Sequence, residues 1–237
     1  MRLLTEFKDA PRVGLTFQGF YDIIPVVLFL LGSVILLRTL YSQMVKGCYC
    51  LLAAGSIRVF SAGILKALHK IVMGLFQIDY IILDKQFTPT QSIGFLLLFL
   101  ALLGRFTIKS TKHIQTKTMA ITLPILALFF AEEIKTGDSG LPAFTNSWPF
   151  LAVRIIGAGG FLVRLAILAF KRKRIPEAVF FFIAIVLMVS RGYLSTKRGY
   201  EGAWMQISCN VLYQLTFFLG CLLLKKHKLE EANLFKA

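Results

Sequence analysis

The sequence predicts an all-α integral membrane protein, a bundle of about seven transmembrane helices. Of its 237 residues, 57% are hydrophobic and only 16% are charged, whereas soluble domains are about half apolar and about a quarter charged. The mean hydropathy of +0.71 also excludes a disordered chain, which would have low hydrophobicity and high charge. Because one crossing takes about 20 apolar residues, about seven crossings with short loops fill the chain and leave no room for a separate soluble domain.

Seven apolar segments have a length suited to crossing a membrane. They are residues 21–38, 48–69, 91–106, 118–134, 148–170, 176–190 and 203–224. Pro149 and Pro176 stand in a first helical turn, which tolerates proline, and Pro25 is predicted early in the first helix. Pro124 lies deeper in the fourth span and predicts a bend there.

Residues 71–90 do not fit this pattern as well. Their first part, 71–83, is an apolar stretch of about 13 residues, a length typical of interfacial or re-entrant segments. We therefore predict a separate short element at the outer surface. Pro89 would separate it from the third span, which Thr90 would cap. A full crossing here would raise the count to eight and invalidate the predicted topology.

The distribution of Lys and Arg predicts the orientation. With loops assigned to alternate sides, one side carries about 14 basic and three acidic residues, and the other about ten basic and nine acidic residues. The more basic side is cytoplasmic by the positive-inside rule, which places residues 1–20 outside and 225–237 in a basic cytoplasmic tail. Trp148 and Trp204 then fall at outer helix ends, as in an aromatic belt. The net charge of +15 is on this interpretation a topology signal at a cell membrane, and we expect no nucleic-acid binding.

Arg58 lies near the predicted middle of the second span, where a charge is costly and needs a partner inside the bundle. His69 falls on the same helical face, with Ser61 and Lys66 beside it. One interpretation is a path that attracts anions from the outer surface. The other is a structural ion pair between helices, with Lys66 and Lys70 reaching the interface through their long stems.

The fifth span carries Arg154 and Arg164 on one face together with Gly157 and Gly160. Small residues allow a second helix to approach closely. This face therefore predicts a helix–helix contact through Gly157 and Gly160, with arginines at its margins.

Acidic side chains that could pair with the buried arginines are few. Glu132 and Glu133 close the outer end of the fourth span, and only one of them can point inward because consecutive helical residues are about 100° apart. The inward carboxylate is the predicted partner of an arginine such as Arg191 at the outer end of the sixth span. Asp22, at the outer start of the first span, is a second candidate.

The seventh span has a polar stripe at helical spacing, formed by Gln206, Asn210, Tyr213 and Gln214. Amides are costly in lipid, so this face is expected to look into the bundle. Hydrogen bonds between helices would account for one or two such residues, whereas four favour a hydrated or ligand-lined surface. Residues 178–189 of the sixth span have no polar side chain and are expected to face lipid.

The leading function on these grounds is binding or translocation of a small anionic or zwitterionic solute in a polar cavity of the outer half. A membrane sensor or a partner subunit of a membrane complex is the alternative, and an intramembrane enzyme acting on lipid is the third. No GxSxG or HExxH motif is present, and the three histidines lie in separate regions, so neither a cofactor nor a metal is expected. No internal sequence repeat is visible. The predicted ligand-binding residues are Arg58, His69, Glu132, Arg154, Arg191, Gln206, Asn210, Tyr213 and Gln214.

Overall fold

A computed structural model describes residues 12–78, 80–107, 148–194 and 200–234, and this part of the chain is helical and contains no strand. The long helices are α1 Arg12–Leu40, α2 Lys46–Phe76, α3 Ile81–Thr107, α4 Trp148–Lys171, α5 Ile175–Leu194 and α6 Tyr200–Leu234. All six are long and apolar enough to cross a membrane. The prediction of an all-α chain with several membrane-length helices is therefore confirmed, whereas the predicted fourth span at 118–134 lies outside the described residues.

The prediction that residues 71–90 form a separate short element is wrong. Their first residues complete α2, which ends at Phe76, and their last ten belong to α3, which begins at Ile81. Gln77 ends α2 in a left-handed conformation, with φ of 57°, and its N–H donates to the carbonyl of Met73 at 3.2 Å. Pro89 lies inside α3 rather than at a boundary, because a membrane helix tolerates the loss of one backbone donor when neighbouring groups satisfy the freed carbonyl.

Both terminal helices extend beyond the predicted bounds. Residues 12–20, predicted as part of an extracytoplasmic segment, belong to α1, and Pro25 therefore lies in the middle of this helix. The reason is packing: a Cβ on Gly19 would meet Ile71, and one on Gly74 would meet Thr16, so the first turns of α1 lie directly against the end of α2. At the other terminus α6 continues into the predicted tail as far as Leu234.

The six helices form a closed ring in sequence order, in which α6 also packs against α1. Short turns make the α1–α2, α2–α3 and α4–α5 neighbours antiparallel. The α3–α4 pair is instead parallel, since Gln91 contacts Arg154 and Phe99 meets Gly160 further along both helices. α3 therefore ends at the opposite end of the bundle from the one at which α4 begins.

One end of the bundle is strongly basic, and we call it the basic end. The α1–α2 and α4–α5 turns meet there, since Arg172 donates to the side-chain oxygen of Gln43 at 2.8 Å. The basic residues near this end of the described helices are Arg38, Lys46, Lys171, Arg172, Lys173, Arg174, Lys225 and Lys226. The α2–α3 turn lies at the opposite end.

The order and directions of α1–α3 are repeated in α4–α6. The two halves meet at two parallel interfaces, α3 with α4 and α6 with α1. At each interface a phenylalanine from the third helix of one half packs on a glycine in the first helix of the other, Phe99 on Gly160 and Phe217 on Gly32. The two halves therefore have the same helix order and the same directions, and they meet in the same way at both interfaces.

An apolar core fills the basic half of the bundle, and α5 presents a broad apolar face to the surroundings. The core includes fully buried Leu36, Leu102 and Leu162 from three different helices. On α5, Phe182 and Val189 are more than half exposed, while Phe181 and Ala184 are fully buried. The exposed apolar face agrees with the lipid-facing surface predicted for residues 178–189.

Candidate functional site

A polar cavity lies between the helices, in the half of the bundle away from the basic end. About 40 Å³ of it is open to the centre of a water molecule, which is room for a few waters or a solute of only a few heavy atoms. Its polar lining residues are Asp22, Lys66, Gln91, Arg191, Asn210 and Gln214. Its apolar lining residues are Pro25, Val26, Phe29, Val59, Gly63 and Phe87.

The carboxylate in the cavity wall is already engaged by a lysine. Lys70 on α2 donates to Asp22 Oδ2 on α1 at 2.6 Å, and both side chains are largely buried. Lys70 is one helical turn beyond Lys66 on the same helix, so Asp22 lies close to both ammonium groups. Because Asp22 carries one negative charge and is paired with Lys70, it cannot also balance the charges of Lys66 and Arg191.

Those remaining charges are positive. The Lys66 ammonium lies over the ring of Phe87, 4.9 Å from its centroid, a favourable cation–π position. It is within electrostatic range of Arg191 and Arg154 as well as Asp22. Arg154 on α4 stands behind the cavity wall and donates to the Gln91 side chain at 3.4 Å. Two of these cations line the cavity and the third contacts it through Gln91, an arrangement that favours an anion.

Three amide side chains have buried polar atoms without a hydrogen-bond partner. They are Oδ1 of Asn210, Oε1 of Gln214, and both amide atoms of Gln18. Gln18 lies one turn before Asp22 on α1, on the face that lines the cavity. A buried polar group without a partner costs free energy, so these amides point to water or a ligand as the missing partner.

An aromatic cluster closes the cavity toward the basic end. Phe217 stacks on Phe29 with ring centroids 5.7 Å apart, and Phe161 and Phe181 lie against Phe217 at 5.9 and 6.5 Å. Phe95 meets Phe29 edge-on. We call these five residues the aromatic cluster, and they come from α1, α3, α4, α5 and α6.

The structure brings some predicted site residues together and leaves others apart. Arg191, Asn210 and Gln214 line the cavity. Tyr213 is buried and interacts electrostatically with Arg191. Arg154 reaches the cavity through Gln91.

The remaining predicted residues lie elsewhere. Arg58 is half-buried and His69 is buried on α2, but neither is among the residues that line the cavity. Gln206 is half-buried on α6, also outside the lining. Glu132 lies outside the described residues. The predicted contact face of Gly157 and Gly160 is occupied by α3 of the same chain.

The first three helices contribute more to the cavity than the sequence predicts. The sequence analysis places Lys66 and Lys70 at the interface and makes Asp22 a second candidate, and it does not include Gln18 or Gln91 among the site residues. One signal was available: Gln18 and Asp22 are one turn apart on α1, and Lys66 and Lys70 one turn apart on α2. Two polar pairs at helical spacing on adjacent antiparallel helices favour a shared buried face.

Comparison of the chain with protein-family models, curated proteins and solved structures found no match. Among the described residues, no group of three or more His, Cys, Asp or Glu side chains is placed to hold a metal ion. The cavity is therefore the feature of the structure that indicates a function.

Proposed function

We propose that this protein binds a small anionic or zwitterionic solute in the central cavity and moves it across a membrane. The observation that carries the proposal is the excess of cations over carboxylates that the described residues place at an amide-lined cavity within membrane-length helices. A buried charge in such a bundle is costly unless it is paired, and a bound anion would provide the pair.

Translocation rather than binding alone is supported by the architecture. Parallel repeats with a site at their interface are typical of several transporter folds, and the cavity lies where the two halves of this bundle meet. The aromatic cluster closes one side of the cavity and draws residues from both halves. A change in packing between the halves would open the cavity on the side of the aromatic cluster and close it on the opposite side.

The same proposal includes seven crossings, with the N-terminus outside and the C-terminus inside. Because α3 and α4 are parallel, residues 108–147 must return from the basic end to the opposite end. A single crossing by the predicted span 118–134 would achieve this. The basic end is cytoplasmic by the positive-inside rule, so the cavity lies in the outer half.

The Lys66→Met variant tests solute binding. The full chain in detergent is titrated with 2-hydroxypropionate, propionate, alanine and inorganic phosphate, and thermal stabilisation is recorded, since a ligand of the folded state raises stability by mass action. We expect at least one of the four to stabilise the parent and to lose most of its effect in Lys66→Met. Lys225→Met, on the exposed surface of α6, is the matched control and should respond like the parent.

Lack of stabilisation by all four compounds would contradict the proposed function. Compounds that do bind are then tested for uptake into vesicles containing the purified protein. Binding without uptake would favour the alternative role as a sensor or partner subunit. For that role the Asp22–Lys70 ion pair is a specific supporting feature, because it holds α1 and α2 together beside the cavity.

A further inference from the structure

The cavity is chemically divided along the bundle axis. Asp22 and Lys66 line its mouth, and each is seven residues from the deeper lining residue of its own helix, Phe29 and Val59 respectively, a rise of about 10 Å. Arg191 also belongs to the mouth, since it lies near the end of α5. The charged groups are therefore at the mouth, where Phe87 also lies, and the floor is apolar.

The two unpartnered amide oxygens of α6 lie between these levels. Asn210 and Gln214 are one turn apart and both line the cavity, and Gln214 is 6% exposed. The unpartnered atoms are Oδ1 of Asn210 and Oε1 of Gln214, both of them acceptors. A buried acceptor needs a hydrogen-bond donor. No donor among the described residues is within hydrogen-bond distance of either oxygen, so the ligand or water is the donor we infer at this depth.

We infer that the ligand is a small 2-hydroxy monocarboxylate with a short apolar tail, an inference that rests on the proposed function. Its carboxylate lies between Lys66 and Arg191, and its hydroxyl donates to the amide oxygens of Asn210 or Gln214. Its short tail points toward the apolar floor at Phe29 and Val59. The aromatic cluster closes the cavity below, which excludes long acyl chains.

Phosphate, propionate and alanine each fit the cavity less well than a 2-hydroxy monocarboxylate. Inorganic phosphate has no apolar part to cover Phe29 and Val59. Propionate has the tail but offers no donor to the amides. Alanine offers an ammonium donor, yet it brings a positive charge into a cavity where Lys66 and Arg191 already exceed the carboxylate of Asp22, which Lys70 engages.

The four compounds are compared by isothermal titration of the full chain in detergent. We expect 2-hydroxypropionate to bind about three- to tenfold more tightly than propionate, the effect of about one net hydrogen bond. Alanine should bind more weakly than 2-hydroxypropionate, and phosphate should show no binding. In Gln214→Leu the preference for the hydroxy acid over propionate should fall toward equality while propionate still binds. Gln86→Leu, at an exposed position of α3, should keep the preference.

Failure of this inference is distinguishable from failure of the proposed function. Equal binding of 2-hydroxypropionate and propionate by the parent, or tighter binding of phosphate or alanine, would overturn the hydroxy-acid assignment while leaving an anion site in place. Absence of binding by all four would overturn both. If Gln214→Leu does not fold, the ranking of the four compounds on the parent decides the question by itself.

Discussion

At the scale of single residues, the Asp22–Lys70 contact shows how the bundle accommodates charge. The 2.6 Å ion pair joins α1 to α2, and the exposed fractions of the two side chains are only 7% and 14%. A buried ion pair contributes little relative to a well-packed apolar pair, but loss of one partner leaves a charge without compensation. A single substitution in the pair is therefore expected to destabilise the protein, whereas replacement of both residues by apolar ones is expected to be tolerated.

Asp22→Asn should lower the free energy of unfolding by about 3 kcal/mol, because the Lys70 ammonium loses its counter-charge in a buried setting. The double variant with Asp22→Leu and Lys70→Met should be at least as stable as the Asp22→Asn variant and close to the parent. Unfolding by a denaturing detergent measures all three proteins. If the Asp22→Asn variant is as stable as the parent, the ion pair does not stabilise the fold.

At the scale of helices, the α3–α4 interface depends on one close backbone approach. A Cβ on Gly157 would lie 2.8 Å from the carbonyl carbon of Phe95 and 2.8 Å from the nitrogen of Leu96. Both are backbone atoms, which cannot rotate away as a side chain can. Gly159 in the same helix is different, since a Cβ there would lie 3.5 Å from the terminal methyl of Met188, an ordinary contact.

Gly157→Ala should therefore destabilise the protein by about 1–3 kcal/mol, the usual cost of overpacking. Gly159→Ala is the matched control in the same helix and should be neutral or stabilising by up to about 1 kcal/mol, because alanine favours the helix. Thermal unfolding of the two variants side by side provides the measurement. Equal stability of both would contradict the close approach of α3 and α4.

At the scale of the whole molecule, the path of the chain is constrained by two parallel interfaces. The turns at 41–45 and 172–174 lie at one end of the bundle, as the Arg172–Gln43 hydrogen bond requires, and the turn at 77–80 lies at the other. This arrangement fixes which turns share an end of the bundle.

Single cysteines at Tyr41, Ile78 and Lys173, in a background without the native cysteines, test this arrangement with a membrane-impermeant maleimide. We expect Ile78→Cys to be labelled in intact cells, and Tyr41→Cys and Lys173→Cys only after permeabilisation. Opposite behaviour of positions 41 and 173 would contradict the parallel packing of α3 and α4. Labelling of both from outside, with position 78 protected, would contradict the orientation alone.

Composition and apolar length by themselves determined the class of this protein. They predict an all-α chain with membrane-length helices, and residues 148–170 were close to the observed α4 because Pro149 marks its start and the basic residues 171–174 its end. The polar stripe of the last helix was also visible, since Asn210 and Gln214 repeat at helical spacing and amides are costly in lipid. These signals are local, so a single sequence carries them.

Tertiary structure decided the ends of the helices and the composition of the cavity. Pro89 is a boundary signal in isolation, but α3 continues through it because packing against α2 and α4 outweighs the loss of one hydrogen bond. Arg58 is the most conspicuous charge in the sequence, yet Lys66 lines the cavity and Arg58 does not. Depth in a span predicts that a charge is costly, whereas the rotation of the helix against its neighbours decides which charge reaches the axis.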